Sequence, residues 1–157
     1  MALDSPRLRN ILLTTDFSPS SALALPYARL MAERMGATLY LLHVINNPLA
    51  PRYGPPPHDY DAIVNNARAR ARELMAAYES ELGGLEHHTI IREGEVLPEI
   101  LAVAREKQID TIVMASHGEG LLRHLLLGST ARNVLLSADC PVYIIRVADE
   151  RRGSRTH

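Results

Sequence analysis

The chain has a single cysteine, Cys140, and a single lysine, Lys107, among its 157 residues. One cysteine excludes an internal disulfide and a cysteine-built zinc site, so the fold must stand on its apolar core. Cys140 itself reads as a small, half-buried side chain and not as a reactive thiol. One lysine excludes more. A P-loop NTPase needs a lysine in its glycine-rich phosphate loop and a Schiff-base enzyme needs one in its pocket, whereas Lys107 falls in an amphipathic helical stretch far from any glycine cluster. No apolar run reaches the length of a membrane span, and Met1 to Asn10 carries charges and a proline where a signal peptide needs an apolar stretch. These absences predict a cytoplasmic protein without a membrane partner. The net charge of −1 and a pI near 6.7 supply no excess of positive potential for nucleic acid or an anionic surface, so any bound anion must be gripped locally.

What is present is 46% hydrophobic sequence, enough for one domain with a sizeable core. We expect that domain to span residues 1–148, with 149–157, rich in Arg and polar residues, as a flexible tail. Short β-branched or aliphatic runs alternate with longer stretches of helical period, the pattern of a parallel sheet covered on both faces. Five strands are predicted: Asn10 to Thr14, Ala37 to Val44, His87 to Arg92, Thr111 to Ala115 and Val142 to Val147. In the first crossover Ser18 offers an N-cap and Gly36 a stop, while Pro26 requires a bend or a later helix start. Asn46 to Asp59, crowded with prolines, is a loop. A helix from about Asp61 to Leu82 follows, closed by Gly83 and Gly84, with Arg68, Arg70 and Arg72 assigned to a solvated face. Pro98 opens a third helix whose buried stripe is predicted as Ile100, Leu101 and Ala104.

The fourth crossover is unlike the others. Ser116 to Asp139 holds His117, Gly118, Gly120, His124, Gly128, Ser129 and Thr130, with the last helix predicted over Ala131 to Ser137. In an open doubly wound five-stranded sheet of order 3-2-1-4-5, strands one and four adjoin where the winding reverses, and a crevice opens at their carboxyl ends. Thr14, Thr15 and Asp16 reach it from strand one, and Met114 to Gly118 from strand four. Glycines admit a close approach of main-chain N–H groups to phosphate oxygens, and the helix after Gly128-Ser129-Thr130 adds oriented donors and a partial positive charge. Ser129 and Thr130 can cap that helix and also donate to an anion. Asp16, taken alone, also suits a turn or helix cap, and His43, between Leu42 and Val44 on a strand, reads as structural. His87 and His88 are adjacent on a strand and so point to opposite faces; His117 and His124 lack a third partner, and no metal site is expected.

Met114-Ala115-Ser116-His117-Gly118, nine residues, then Gly128-Ser129 resembles the nucleotide-binding signature of the universal stress protein family: glycine, two residues, glycine, nine residues, glycine, then serine or threonine. Ile11 to Phe17 is similar to that family's first strand, Leu41-Leu42-His43-Val44 to its second, and Cys140-Pro141-Val142 to the run into its last. The departure is Ala115, where the signature has its first glycine; alanine gives up positive φ and brings a methyl group toward the ligand. The resemblance implies an adenine nucleotide alpha hydrolase-like fold that binds ATP, or ADP or AMP. Thr14, Thr15, Asp16 and Val44 then line the nucleoside pocket with Met114 across the base, Ala115, His117 and Gly118 border the ribose and first phosphates, and Gly128, Ser129 and Thr130 hold the outer phosphates. Mg²⁺ or Mn²⁺ would be held mainly by phosphate oxygens and water.

The same likeness, with the exposed apolar edge of Val142 to Val147, implies a homodimer through the last strand. The function expected is that of a nucleotide-binding regulatory protein of the stress response with slow or no hydrolysis, because the crevice holds neither an evident general base nor a lysine. A genuine ATPase in the same pocket and a nucleotide-free dimeric interaction module are the alternatives. A receiver domain is disfavoured by the missing acidic pair and lysine, and a dinucleotide site by the missing third glycine.

Overall fold

The computed structural model describes residues 6–46, 58–117 and 127–146. Its centre is a five-stranded parallel sheet of order β3-β2-β1-β4-β5, built from β1 (Asn10–Thr14), β2 (Thr38–Asn46), β3 (His87–Gly94), β4 (Thr111–Ala115) and β5 (Val142–Ile145). The predicted order is the one found. β1 and β4 have the predicted bounds, whereas β2 and β3 run on past theirs because their extra residues pair with each other, Ile45 with Glu93 and Asn46 with Gly94. The last β1–β2 pair is Thr14 with Leu42, so His43 to Asn46 rise beyond the end of β1 as a side wall.

The two central strands are buried along almost their whole length, as expected of a parallel sheet covered on both faces. Strand alternation divides the side chains between two cores. Ile11, Leu13, Leu39, Leu41, Val113 and Ala115 pack with Ala28, Ala32, Met75 and Tyr78 on one face. Leu12, Leu42, Val44, Ile112 and Met114 pack with Ile100, Val103, Ala131 and Val134 on the other.

The first crossover is broken as Pro26 requires. A single turn, α1 (Pro19–Ala22), is capped by Ser18, whose Oγ accepts the Ser21 N–H at 3.1 Å, and α2 (Leu25–Met35) restarts with Pro26 in its first turn, where a missing N–H costs nothing. Gly36 (φ +62°) closes α2 in the left-handed region. The next helix, α3 (Tyr60–Ser80), ends ahead of Gly83 (φ +59°). In α4 (Val96–Glu106) the buried residues are Ile100 and Val103, with Leu101 and Ala104 half-buried, because the helix packs on the second core through those two side chains; Glu95 is the cap, so Pro98 is third in the helix. Lys107 caps α4, and its carbonyl accepts the Asn10 side chain at 3.1 Å beside the start of β1. The last helix, α5 (Ser129–Ser137), starts two residues earlier than predicted, with Gly128 as its cap. Ser129 and Thr130 thus occupy its first two positions and no side chain caps it. β5 is an edge strand with Tyr143 exposed; Val147, most of the proline-rich loop and the C-terminal tail lie outside the described residues. Among the described residues no helix is long and apolar enough to cross a membrane.

Candidate functional site

Above the carboxyl ends of β1, β2 and β4 lies a cleft of about 840 Å³, in the size range of small-molecule sites. Thr14, Thr15, Asp16, Val44, Met114, Ala115, His117, Gly128, Ser129 and Thr130 all line it. Gly118, the remaining expected site residue, lies outside the described residues, as do His124, Leu121, Leu122, Leu125 and Leu126, whereas Leu127 packs on the second core.

The turn leaving β1 forms one end of the cleft and is held from within. The buried Thr15 hydroxyl accepts the Phe17 N–H at 3.0 Å and meets Ser21 Oγ at 2.9 Å and Tyr78 Oη at 2.8 Å. One proton and two lone pairs serve these three partners, so the hydroxyl shapes the turn and is fully engaged there. Its main chain is fixed as well: the Thr15 N–H donates to Leu42 O at 2.9 Å, and His43 Nδ1 lies 2.8 Å from Thr15 O. Because that oxygen only accepts, Nδ1 carries the proton. Burial lowers the His43 pKa against the raising effects of the Thr15 carbonyl and the Asp16 charge, which keeps the ring neutral near pH 7 with Nε2 as an acceptor.

Phe17 takes φ +62°, rare for a bulky residue, and its ring packs on His43 at 4.3 Å and edge-on against Tyr78 at 5.8 Å. Between these anchors Asp16 is exposed, with Oδ1 accepting the Ser18 N–H at 2.9 Å. The capping role and the cleft position therefore coexist.

Val44 and Met114 flank the end of β1 from β2 and β4, almost wholly buried, and with Val96 and Ile100 of α4 they give the cleft an apolar flank. Ala115 is the last residue of β4, paired with Ile145 and packed into the first core. Its backbone is extended strand, so the loss of positive φ expected from replacing glycine is not incurred there.

The other end of the cleft is differently made. Ser116 is buried, its N–H donating to Ile145 O at 2.8 Å and its carbonyl accepting the Gly128 N–H at 2.7 Å, which ties the start of α5 to the end of β4. Ser116 Oγ and His117 Nδ1 are 2.8 Å apart. Gly128 is extended (φ −71°, ψ 160°) and offers no side-chain cap, so the first-turn amides of Ser129, Thr130 and Ala131 have no intrahelical acceptor and belong to residues that line the cleft. Such a helix start favours an anion.

Sequence reasoning missed part of the wall. Arg70, assigned to a solvated face, lines the cleft with Ala67, Ala71 and Leu74 of α3. Those four positions recur at the spacing of one helix face, and an arginine inside such a stripe was the available signal. His43, Phe17, Ser116 and Asn46 also line the cleft. Among the described lining residues Arg70 is the one permanent cation and Asp16 the one carboxylate. No three His, Cys, Asp or Glu side chains among the described residues converge as a metal-binding group.

The profile of the universal stress protein family matches residues 7–146. Universal stress protein YxiE of Bacillus subtilis is 32% identical over 144 residues, covering 87% of this chain and 97% of the relative. The solved structure of MJ0577 from Methanocaldococcus jannaschii superposes with a TM-score of 0.81 at 27% identity, over 92% of this chain and all of that one. A universal stress protein from Archaeoglobus fulgidus in complex with dAMP has a TM-score of 0.61 at 24% identity, over 89% of this chain and 99% of that one, a likeness of fold. With the family profile spanning nearly all of the described sheet and helices, the chain belongs to the universal stress protein family.

Proposed function

We propose that the cleft binds an adenine nucleotide, ATP in the first instance, and that the protein acts as a regulatory nucleotide sensor. The observation that carries this reading is the uncapped start of α5, which opens into the same cleft as the apolar pair Val44 and Met114 and the exposed carboxylate of Asp16. An anion site next to an apolar slot with one polar group suits a flat heterocycle joined to phosphates. That a protein of the same fold is solved with dAMP supports the choice of adenine.

In this reading Asp16 binds the nucleoside in a pocket that Thr14 and Thr15 line, and Val44 and Met114 cover the base. Ala115, His117 and Gly118 border the ribose and first phosphates, and the amides and hydroxyls of Ser129 and Thr130 behind Gly128 take the outer ones. With no protein cluster for a metal among the described residues, Mg²⁺ or Mn²⁺ would be carried by phosphate oxygens and water. Hydrolysis is slow or absent in this reading, because the described lining residues hold a single carboxylate, Asp16, and no lysine to stabilise phosphoryl-transfer charge.

The unit is one domain over residues 1–148 in the cytoplasm, pairing as a homodimer through the edge of β5, where the exposed Tyr143 and one unpaired strand side invite a second copy. Calorimetric titration with ATP and Mg²⁺ tests the binding: saturable uptake is expected in the wild type and a clear loss in Asp16→Ala. An absence of heat and of displaced probe for every adenine nucleotide would reject the reading, and phosphate release at ordinary ATPase rates would replace it with an enzyme.

A further inference from the structure

We infer that Arg70 closes over the charged end of the bound nucleotide, as the one permanent cation among the described lining residues. The inference rests on the nucleotide reading above and assigns a new residue to that site.

Arg70 reaches the cleft from α3, on the opposite face of the sheet from the α5 start. Without it, the described lining holds one carboxylate, Asp16, and the fractional positive charge of a helix start, roughly half an elementary charge. Arg70 adds a full positive charge to the described lining, and its planar fork of N–H donors matches phosphate oxygens.

Its neighbours on α3 are placed otherwise. Arg68 holds Glu93 at 3.0 Å, a carboxylate only 20% exposed, and Arg72 is exposed and does not line the cleft. Arg70 instead holds Glu73 at a long 3.4 Å, with the two side chains 68% and 71% exposed. An exposed pair three residues apart on a helix shifts an equilibrium by less than about fivefold, so the guanidinium is cheaply exchanged from Glu73 to a better anion. Glu73 thereby serves as a resting partner that competes weakly with the ligand.

The test is calorimetric titration of the full chain as wild type, Arg70→Gln, Arg70→Lys and Glu73→Gln, with ATP directly and with adenosine by competition. Arg70→Gln should weaken ATP about tenfold while leaving adenosine within about twofold, because only the phosphates carry the charge Arg70 meets. Arg70→Lys should recover part of the loss. Glu73→Gln should tighten ATP by about twofold, and that gain should disappear when Arg70→Gln is also present, which separates release of Arg70 from general relief of repulsion. The salt dependence of ATP binding should be shallower in Arg70→Gln than in the wild type. Equal losses for ATP and adenosine, or ATP binding unchanged in Arg70→Gln and Glu73→Gln while the wild type binds, would overturn the assignment and leave the nucleotide reading standing. A wild type that binds no adenine nucleotide would sink both.

Discussion

The two ends of the cleft solve opposite problems. At the end of β1 the turn is held from inside the chain: the Thr15 hydroxyl has three partners, the Thr15 carbonyl has His43, and Asp16 Oδ1 has the Ser18 N–H. At the start of α5 the first-turn amides have no side-chain cap and belong to residues that line the cleft. The first end is a finished surface that presents a fixed shape. The second is chemically incomplete, and an anion completes it. Stability and binding should therefore respond to different residues.

The largest break in that contrast is Thr15→Val, which removes the hydroxyl at which Ser21, Tyr78 and Phe17 meet and strands their buried groups. A loss of about 2–3 kcal/mol in urea unfolding is expected; a loss below 0.5 kcal/mol would mean that the turn is not held as described. Gly128→Asp attacks the other end. A carboxylate there caps α5 from within and occupies the place of the anion, so ATP affinity should fall at least tenfold, about 1.4 kcal/mol, while fold stability is unchanged or slightly raised. Isothermal titration and thermal melts on the same sample check both halves. Tyr78→Phe deletes one partner of the Thr15 hydroxyl and should cost about 1 kcal/mol of stability, with ATP affinity moving only through the shape of the turn.

The smallest effect concerns acid. Burial keeps the folded His43 pKa below the ordinary 6.5 of the unfolded chain. Below that pH the unfolded state therefore binds a proton that the folded state resists. The stability linked to His43 is complete above about pH 6.5 and declines as pH falls, until the folded pKa is passed. Melting temperatures across pH 7.5 to 5, compared with His43→Gln, should show a slope in the wild type that the variant flattens. A histidine resonance titrating above 6.5 would contradict the cause.

The sheet was readable because buried parallel strands announce themselves as apolar runs, and β1 and β4 were bounded correctly by Asn10, Thr14, Thr111 and Ala115. The extension of β2 and β3 was not readable. Asn46 and Gly94 have little strand propensity of their own, and only their mutual pairing draws them in. Val103 takes the buried place expected for Leu101 because the packing of α4 on the sheet selects the stripe, and spacing alone left that choice open. The polar residues at the strand ends were legible from topology, since any side chain just past β1 or β4 must reach the crevice. Arg70 was not, because a charge on a long helix is ordinarily solvated, and what brings it to the cleft is the packing of α3 against the sheet.

Lys107, the only primary amine carried on a side chain, stands at the end of α4 beside the start of β1, across the full length of the sheet from the cleft. An amine-reactive dye on that side chain stays outside the pocket, so once it is resolved from the α-amine by peptide mapping, labelling and ligand titration can be run on one preparation.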